Sequence, residues 1–304
     1  MLSRDCASNE RSIRFIPRVD SLLCESGLNT SPFVFRRLKI LFMTTNTSDS
    51  GRIQAVQTTL AILEVLRDRR VAGVSEIARE LTYAKSTVHH YLKSLEEAGY
   101  VERKDTQYAL GLQALTLGGV ARERERLFHL GREQVDQLAV ETGEKVRLIV
   151  ERDWRGITVY QAEGEQVSQT RTHVGSTELL HSTAAGKAFL AAIPRAETRE
   201  YISQTGLPAQ TENTITETDE LLTELDRIKD RGIALDDQEH YTDIRCVAVP
   251  IVIDDETVLG TISASAPLDR MSEERFRSTL PNKLQNIAGV VEINTTYSEW
   301  IATS

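Results

Sequence analysis

Lys85-Ser-Thr-Val-His-His-Tyr-Leu-Lys-Ser-Leu-Glu-Glu-Ala98 is the stretch that decides how the chain is organised. Val88, Leu92 and Leu95 recur at i, i+4 and i+7 and form one apolar stripe. Ser86, His89, His90, Lys93 and Glu97 fall on the other side, and Gly99 follows as a stop. Upstream, Ser75 is placed to cap a short helix over 75–81, and a turn follows at 82–84. Earlier still, Val56, Leu60 and Leu63, widened by Ile62 and Leu66, predict a helix over 52–68. Downstream, Tyr100-Val-Glu-Arg103 and Gln107-Tyr-Ala-Leu110 read as short strands joined through Lys104-Asp105-Thr106. Helix, short helix, helix with a polar outer face, then a hairpin is the order of a winged helix-turn-helix. A face of hydrogen-bonding and basic side chains suits a nucleic-acid groove; a protein interface wants apolar residues.

Charge supports a local footprint only. The 304 residues carry 36 basic and 45 acidic side chains, a net charge of −9, which argues against a protein that coats nucleic acid over its whole surface. Residues 49–110 hold nine basic and nine acidic residues, whereas 128–304 hold 17 and 30. The helix-turn-helix segment is thus neutral beside a strongly acidic remainder. So few basic residues imply few released counterions and a shallow salt dependence of DNA binding. The basic residues are 28 Arg and 8 Lys, and an acidic, lysine-poor chain is compatible with a high-salt cytoplasm. Cys6, Cys24 and Cys246 form neither a disulfide framework nor a metal pair, which fits a reducing cytoplasm. No apolar run reaches the length of a membrane span, and no secretory signal is present.

Two domains suit this length. Residues 1–42 carry seven basic and four acidic residues and no sustained period. Residues 1–50 are therefore expected to be a disordered leader or a mis-called start, the alternative being a basic arm that touches DNA. The DNA-binding domain is placed at 51–110. Residues 111–128, with alternating Arg and Glu, read as a linker helix with solvated ion pairs. The remainder, 129–304, mixes helices with strands: helices over 128–142, 181–193 and 218–231, and strands over 146–151, 157–162, 246–253 and 258–266. Pro281 must kink or interrupt the last helical region. The fold class is α+β.

Three stretches, in this order and spacing, resemble the IclR family of transcriptional regulators. The first is Lys85 through Arg103 followed by Tyr108-Ala-Leu-Gly-Leu112. The second is Val174-Gly-Ser-Thr-Glu-Leu-Leu-His-Ser-Thr-Ala-Ala-Gly-Lys-Ala-Phe-Leu190. The third is Gly232-Ile-Ala-Leu-Asp-Asp-Gln-Glu-His240 running into Ile244-Arg-Cys-Val-Ala-Val-Pro250. The resemblance covers about residues 52–297. It implies an N-terminal winged helix-turn-helix, a linker helix and a C-terminal GAF-like effector-binding domain, assembled as a dimer or tetramer. It further implies repression or activation of catabolic genes under control of a small metabolite. Two departures stand out. Thr82-Tyr83-Ala84 replaces a turn that often holds Gly and Pro, and Ser176-Thr-Glu178 is more acidic than its usual counterpart, which alters what ligand enters.

For DNA binding, the candidates are Lys85, Ser86, Thr87, His89, His90 and Lys93 on the recognition helix, with Arg103 and Lys104 on the wing. Lys85 and Lys93 suit phosphates; Ser86, His89 and His90 suit base edges; the wing pair suits backbone or minor groove. A dimer sets two such helices about 34 Å apart on one DNA face, which predicts a pseudo-palindromic operator on double-stranded DNA. Carried over from the family motif, Ala184, Ala185, Asp236, Ile244 and Cys246 would line the effector pocket, with the hydroxyls of Ser263 and Ser265 on one side of a strand. No cofactor or metal is implied. Other readings are an enzyme on a GAF-like domain with Cys246 as nucleophile beside His181 and Asp236, a zinc site from His173, His181 and His240, and a non-DNA adaptor.

Overall fold

The computed structural model describes residues 53–168, 170–253 and 257–303. The expectations for the leader over 1–50 lie outside them. The N-terminal unit runs α1 (Gln54–Arg69), β1 (Val71–Gly73), α2 (Val74–Leu81), α3 (Lys85–Glu97), β2 (Val101–Lys104) and β3 (Gln107–Leu110). The strands form an antiparallel sheet in the order β1-β3-β2. Ile62, Leu66, Ile77, Val88, Leu92, Val101 and Tyr108 make one core, so the apolar stripe of α3 faces inward as its spacing requires.

Two local expectations are corrected, and the turn at 82–84 is found where it was expected. On α1 the packed stripe is Ala61, Ile62, Val65 and Leu66, whereas Val56 and Leu60 are 52% and 48% exposed. The helix carries apolar residues on more than one side, and packing takes the side that meets Ile77 and Leu92. Ser75 does not cap α2: the helix begins one residue earlier, and the Glu76 carboxylate accepts the Gly73 N–H at 2.8 Å, closing the first turn from within. The turn into α3 places Thr82 in the left-handed region, φ 60°, where its N–H bonds the Ala78 carbonyl. A β-branched residue is unfavourable there, and glycine would adopt it freely.

The expected continuous linker is broken. α4 (Gln113–Arg122) buries no residue, and α5 (Arg126–Thr142) starts after an elbow at 123–125. The Arg–Glu alternation makes no helical ladder: Arg122 lies 4.4 Å over the Phe128 ring, and Glu125 pairs with Arg152 at 2.9 Å.

The C-terminal unit holds a six-stranded antiparallel sheet, ordered β6-β5-β4-β9-β8-β7. Its strands are β4 (Lys145–Arg152), β5 (Arg155–Glu163), β6 (Thr177–Leu179), β7 (Ala234–Asp237), β8 (Ile244–Val252) and β9 (Val258–Pro267). α6 (Ala184–Ala192), α7 (Arg195–Thr205), α8 (Thr218–Arg231) and α9 (Leu280–Thr303) complete it, giving an α+β fold. One face is apolar over most of its area: Val146, Leu148, Val249, Ile262 and Ala264 pack under Leu138 of α5 and Leu284 of α9, and at its β7–β8 end Arg245 is bonded to Asp237 at 2.8 Å. Pro281 sits inside a helical run continuous from 273 to 303, directly after a π-helical turn, Arg275–Thr279, so the expected interruption takes the form of a local change in helical pitch. The opposite face carries α6 and α8 over part of its area, around Ile149, Ala248 and Leu221. The rest of that face is polar. No helix among the described residues is long and apolar enough to cross a membrane.

Candidate nucleic-acid interface and ligand pocket

Buried Val88, Leu92 and Leu95 fix the rotation of α3, so Lys85, Ser86, His89, His90 and Lys93 are exposed together. Thr87 is half-buried at their border. The His89 and His90 rings stand 6.3 Å apart at 78°, pointing to neighbouring positions on one outer face. Lys93 and Glu97 approach only to 3.9 Å with both side chains exposed, so Lys93 keeps its charge available to a phosphate. On the wing, Arg103 and Lys104 are exposed, and the Arg103 Nε donates to the Asp105 carbonyl at 2.8 Å, which fixes the turn. All eight sequence-derived positions therefore lie on α3 and β2, seven of them in the open.

The second site is built on the polar face of the large sheet. Strand register puts Lys145 beside Ser265, Ser265 beside Cys246, and Cys246 beside Asp236, in one row. The next row holds Arg147, Ser263 and Ala248. Residues two apart on a strand share a face, so these rows look the same way. Ile244 lies at the start of β8, on that side, half-buried. α6 closes over the rows: Ala184 and Ala185 pack in one cluster with Ile149, Cys246 and Ala248. Thr183 caps α6 by accepting the Gly186 N–H at 3.1 Å. A Cβ on Gly186 would lie 2.2 Å from the Leu180 carbonyl oxygen, so only glycine lets the helix start this close to the backbone. Ala184, Ala185, Asp236, Cys246, Ser263 and Ser265 are thus brought together.

Sequence reasoning placed Asp236 here and singled out Glu178, but missed Lys145, Arg147, Lys187 and Glu239. Arg147 and Glu178 are both buried and bonded at 2.8 Å, with His240 Nε2 4.0 Å from the same carboxylate oxygen. Burial opposes the Glu178 charge, and the Arg147 guanidinium outweighs it, holding that carboxyl below its usual range. Lys145, at the margin, donates to Thr172 at 3.0 Å; burial, and then Arg147 alongside, pull its ammonium down to about 8. Lys187 of α6 is fully buried and ion-paired with Glu239. Asp236 accepts the Glu239 N–H at 2.7 Å; burial, and then the Glu239 charge, push its carboxyl up to about 8. The signal for Arg147 was present: it interrupts an otherwise apolar strand, Val146-Arg-Leu-Ile-Val150.

Buried side-chain atoms without a hydrogen-bond partner concentrate here. Among the described residues they are seven, and five belong to this face and its rim: Arg147 Nε, Thr158 Oγ1, Thr261 Oγ1, Ser263 Oγ and Glu239 Oε2. Native interiors leave few such atoms, and each costs about 1–3 kcal/mol unless something meets it.

It is poorly suited to nucleophilic chemistry. Burial pushes the Cys246 thiol up to about 12, so it stays protonated. The His181 ring nitrogens meet the Tyr201 hydroxyl at 2.8 Å and the Pro208 carbonyl at 3.1 Å, and Asp236 is engaged by backbone N–H groups. His181 and Asp236 are therefore committed elsewhere and do not activate the thiol. Among the described residues, no cluster of three or more His, Cys, Asp or Glu side chains is set to hold a metal.

Comparison with known proteins matches both units. A family model described as the IclR helix-turn-helix domain covers residues 55–105, and one described as the bacterial transcriptional regulator IclR C-terminal covers 121–292. The chain is 31% identical over 252 residues to the probable HTH-type transcriptional regulator ArcR of Halobacterium salinarum, spanning 82% of this chain and 96% of that one. It is 30% identical over 224 residues to the HTH-type transcriptional regulator KdgR of Dickeya chrysanthemi, 73% of each. Among solved structures, the IclR of Thermotoga maritima superposes with a TM-score of 0.65 at 28% identity, covering 87% of this chain and 99% of that chain. An IclR homologue from Microbacterium hydrocarbonoxydans, solved with 4-hydroxybenzoate, shares the fold with a TM-score of 0.66 at 21% identity, over 79% and 98%.

Proposed function

This chain belongs to the IclR family of DNA-binding transcriptional regulators, whose C-terminal domain binds a ligand, and from that premise we propose which residues carry each task and how the two are linked. The winged helix-turn-helix over 51–110 reads double-stranded DNA, 111–128 links, and 129–304 senses a small metabolite. Lys85 and Lys93 hold phosphates; Ser86, His89 and His90 reach base edges, with Thr87 at the helix border; Arg103 and Lys104 hold the backbone at the wing. Ala184, Ala185, Asp236, Ile244, Cys246, Ser263 and Ser265, together with Lys145, Arg147 and Glu178, line the effector pocket. The observation that carries this reading is the group of five partnerless polar atoms on one buried sheet face and its rim.

The protein acts as a homo-oligomer, dimer or tetramer, in the cytoplasm, on genes of catabolism. Leu112, Leu115, Leu117 and Val120 of α4 are all exposed, Leu112 at 76%, and so are Val56 and Leu60 of α1. A surface of this kind calls for a partner, and a second copy brings a second α3 and a pseudo-palindromic operator. β4 links the sites: Arg147 faces the pocket, and Arg152, five residues or about 17 Å along the strand, pairs with Glu125 in the elbow below α4. An effector that binds one arrangement of this strand more tightly shifts the spacing of the two winged helices.

Genome-wide crosslinking of the tagged protein tests the proposal. Enrichment at promoters of catabolic operons, lost on growth with the matching carbon source, is expected. Enrichment unrelated to promoters would refute it.

A further inference from the structure

Tyr83 stands where the three helices of the N-terminal unit meet, outside the set of residues that face the duplex. Its backbone is tied to α2, because its N–H donates to the Ala78 carbonyl at 3.0 Å. Its ring is half-buried against the core that Ile62, Ile77 and Leu92 share. Its hydroxyl reaches α1, 29 positions back: the Gln54 Nε2 donates to it at 3.0 Å, and the hydroxyl of buried Thr58 meets it at 3.2 Å. Thr58 also donates to the Gln54 carbonyl at 3.0 Å, so the three residues close a ring of hydrogen bonds. Immediately after the turn, Lys85 opens the recognition helix.

Little else near the turn sets where α3 begins. Ala84 precedes it with no side-chain cap, and no cap hydrogen bond is made there. The turn holds no proline to fix its backbone, and Thr82 takes the left-handed region at φ 60°. The first buried residue of α3 is Val88, about one turn in from Lys85. Packing of Val88, Leu92 and Leu95 fixes the rotation of the helix, but apolar contact is non-directional and defines the axial position less well. Hydrogen bonds are directional, and those from Tyr83 to α1 resist a slide along the axis. The requirement is strict: bonds to base edges hold between about 2.7 and 3.2 Å, and a displacement of about 1 Å at the start of α3 breaks them. Phosphate contacts by long, flexible lysine side chains survive such a displacement.

We propose that Tyr83 is a positioning residue for DNA recognition: its hydroxyl, held by Gln54 and Thr58, sets the axial position of α3, so that Ser86, His89 and His90 meet base edges in register. The inference rests on the reading of α3 as the recognition helix. It adds a determinant of sequence preference that lies off the polar face of that helix and acts through it.

The test compares the full chain with Tyr83→Phe, which removes the hydroxyl and keeps the ring. The parent selects a duplex from a random double-stranded library. That duplex and one of unrelated sequence are then titrated against each variant, well below the melting midpoint. Tyr83→Phe should weaken binding to the selected duplex about tenfold, the scale of one lost base contact, and binding to the unrelated duplex by less than about twofold, since no phosphate contact is lost. Thr58→Val should reproduce part of that loss, and the double variant should fall short of the sum of the two, because both act on one ring. Ile62→Val, a core truncation on α1 of similar cost in stability, should lower the melting midpoint and leave the ratio of the two affinities within about twofold of the parent's. A Tyr83→Phe variant that keeps the parent's ratio, or that loses affinity for both duplexes alike, would overturn the proposal and leave the recognition-helix reading standing. Selection of no motif by the parent, with His89→Ala binding every duplex as the parent does, would overturn both.

Discussion

Removing one member of the Arg147–Glu178 pair should cost far more than removing both, and the two single losses should differ in their pH dependence. The Arg147 Nη1 and Glu178 Oε1 lie 2.8 Å apart with both side chains buried. At an effective dielectric constant of about 20, that separation is worth about 6 kcal/mol of attraction. Desolvation of two buried ions costs several kcal/mol each and cancels most of it. The pair is therefore near neutral as a unit, and an orphaned partner keeps its desolvation cost. Arginine cannot shed its proton, so Glu178→Leu leaves a buried cation and should cost about 3–5 kcal/mol at any pH from 5 to 8. Glutamate can escape by protonation. With an ordinary pKa of 4.5, Glu178 left alone by Arg147→Met should cost at most about 3 kcal/mol at pH 7 and under about 1 kcal/mol at pH 5. The double variant should lie within about 1 kcal/mol of the parent. Urea unfolding followed by the fluorescence of Trp154, which lies against Tyr201 in the same unit, reads all three. Single losses that are each below about 1 kcal/mol, pH-independent and additive in the double variant would refute this reasoning.

Gly186→Ala should lower the melting midpoint of the C-terminal unit by several degrees, because its Cβ would meet the Leu180 carbonyl at 2.2 Å; a midpoint unchanged in calorimetry would contradict the close approach. Asp236, raised to about 8 from 3.8, binds more protons folded than unfolded, so its stabilisation is complete below pH 4 and is lost as pH rises to 8. His181, lowered to about 4 from 6.5, works in the opposite direction, but only below about pH 6.5. Stability should therefore fall between pH 6.5 and 8, and Asp236→Asn should flatten that fall; an unaltered slope in pH-resolved denaturation would count against it. Leu115→Glu with Val120→Glu on α4 should convert the oligomer to monomer in analytical ultracentrifugation and weaken operator binding together; an unchanged sedimentation coefficient would remove α4 from the interface.

Short-range pattern carried much of this fold, and long-range pairing carried the rest. The helix Thr218–Arg231 is legible because Leu221, Leu222, Leu225 and Ile228 keep one period and Gly232 ends it in the left-handed region. The inward stripe of α3 is legible for the same reason, and it makes the recognition face readable. α1 was misjudged because apolar residues line two of its sides and only contact with α2 and α3 selects one. β1, β6 and β7 are three or four residues long, too short to show a period, and are defined by the strands they pair with. α7 follows Pro194 with few apolar residues, so nothing local marks it. In the pocket, the family motif supplies Asp236 and Cys246, and strand alternation supplies Ser263 and Ser265. The charged members do not follow from spacing: Arg147 meets Glu178 across 31 residues, and Lys187 meets Glu239 across 52.

Hydroxyl-radical footprinting of the full chain on a crosslinked promoter tests most directly whether α3 reads the duplex. Two protected patches one helical turn apart on one face are expected. His89→Ala should cost about 1–3 kcal/mol and relax sequence preference, and Lys93→Ala should weaken all sequences alike and reduce the salt slope by about one, both with unchanged melting. Protection without two-fold character, or a footprint and affinity that ignore both substitutions, would contradict the account.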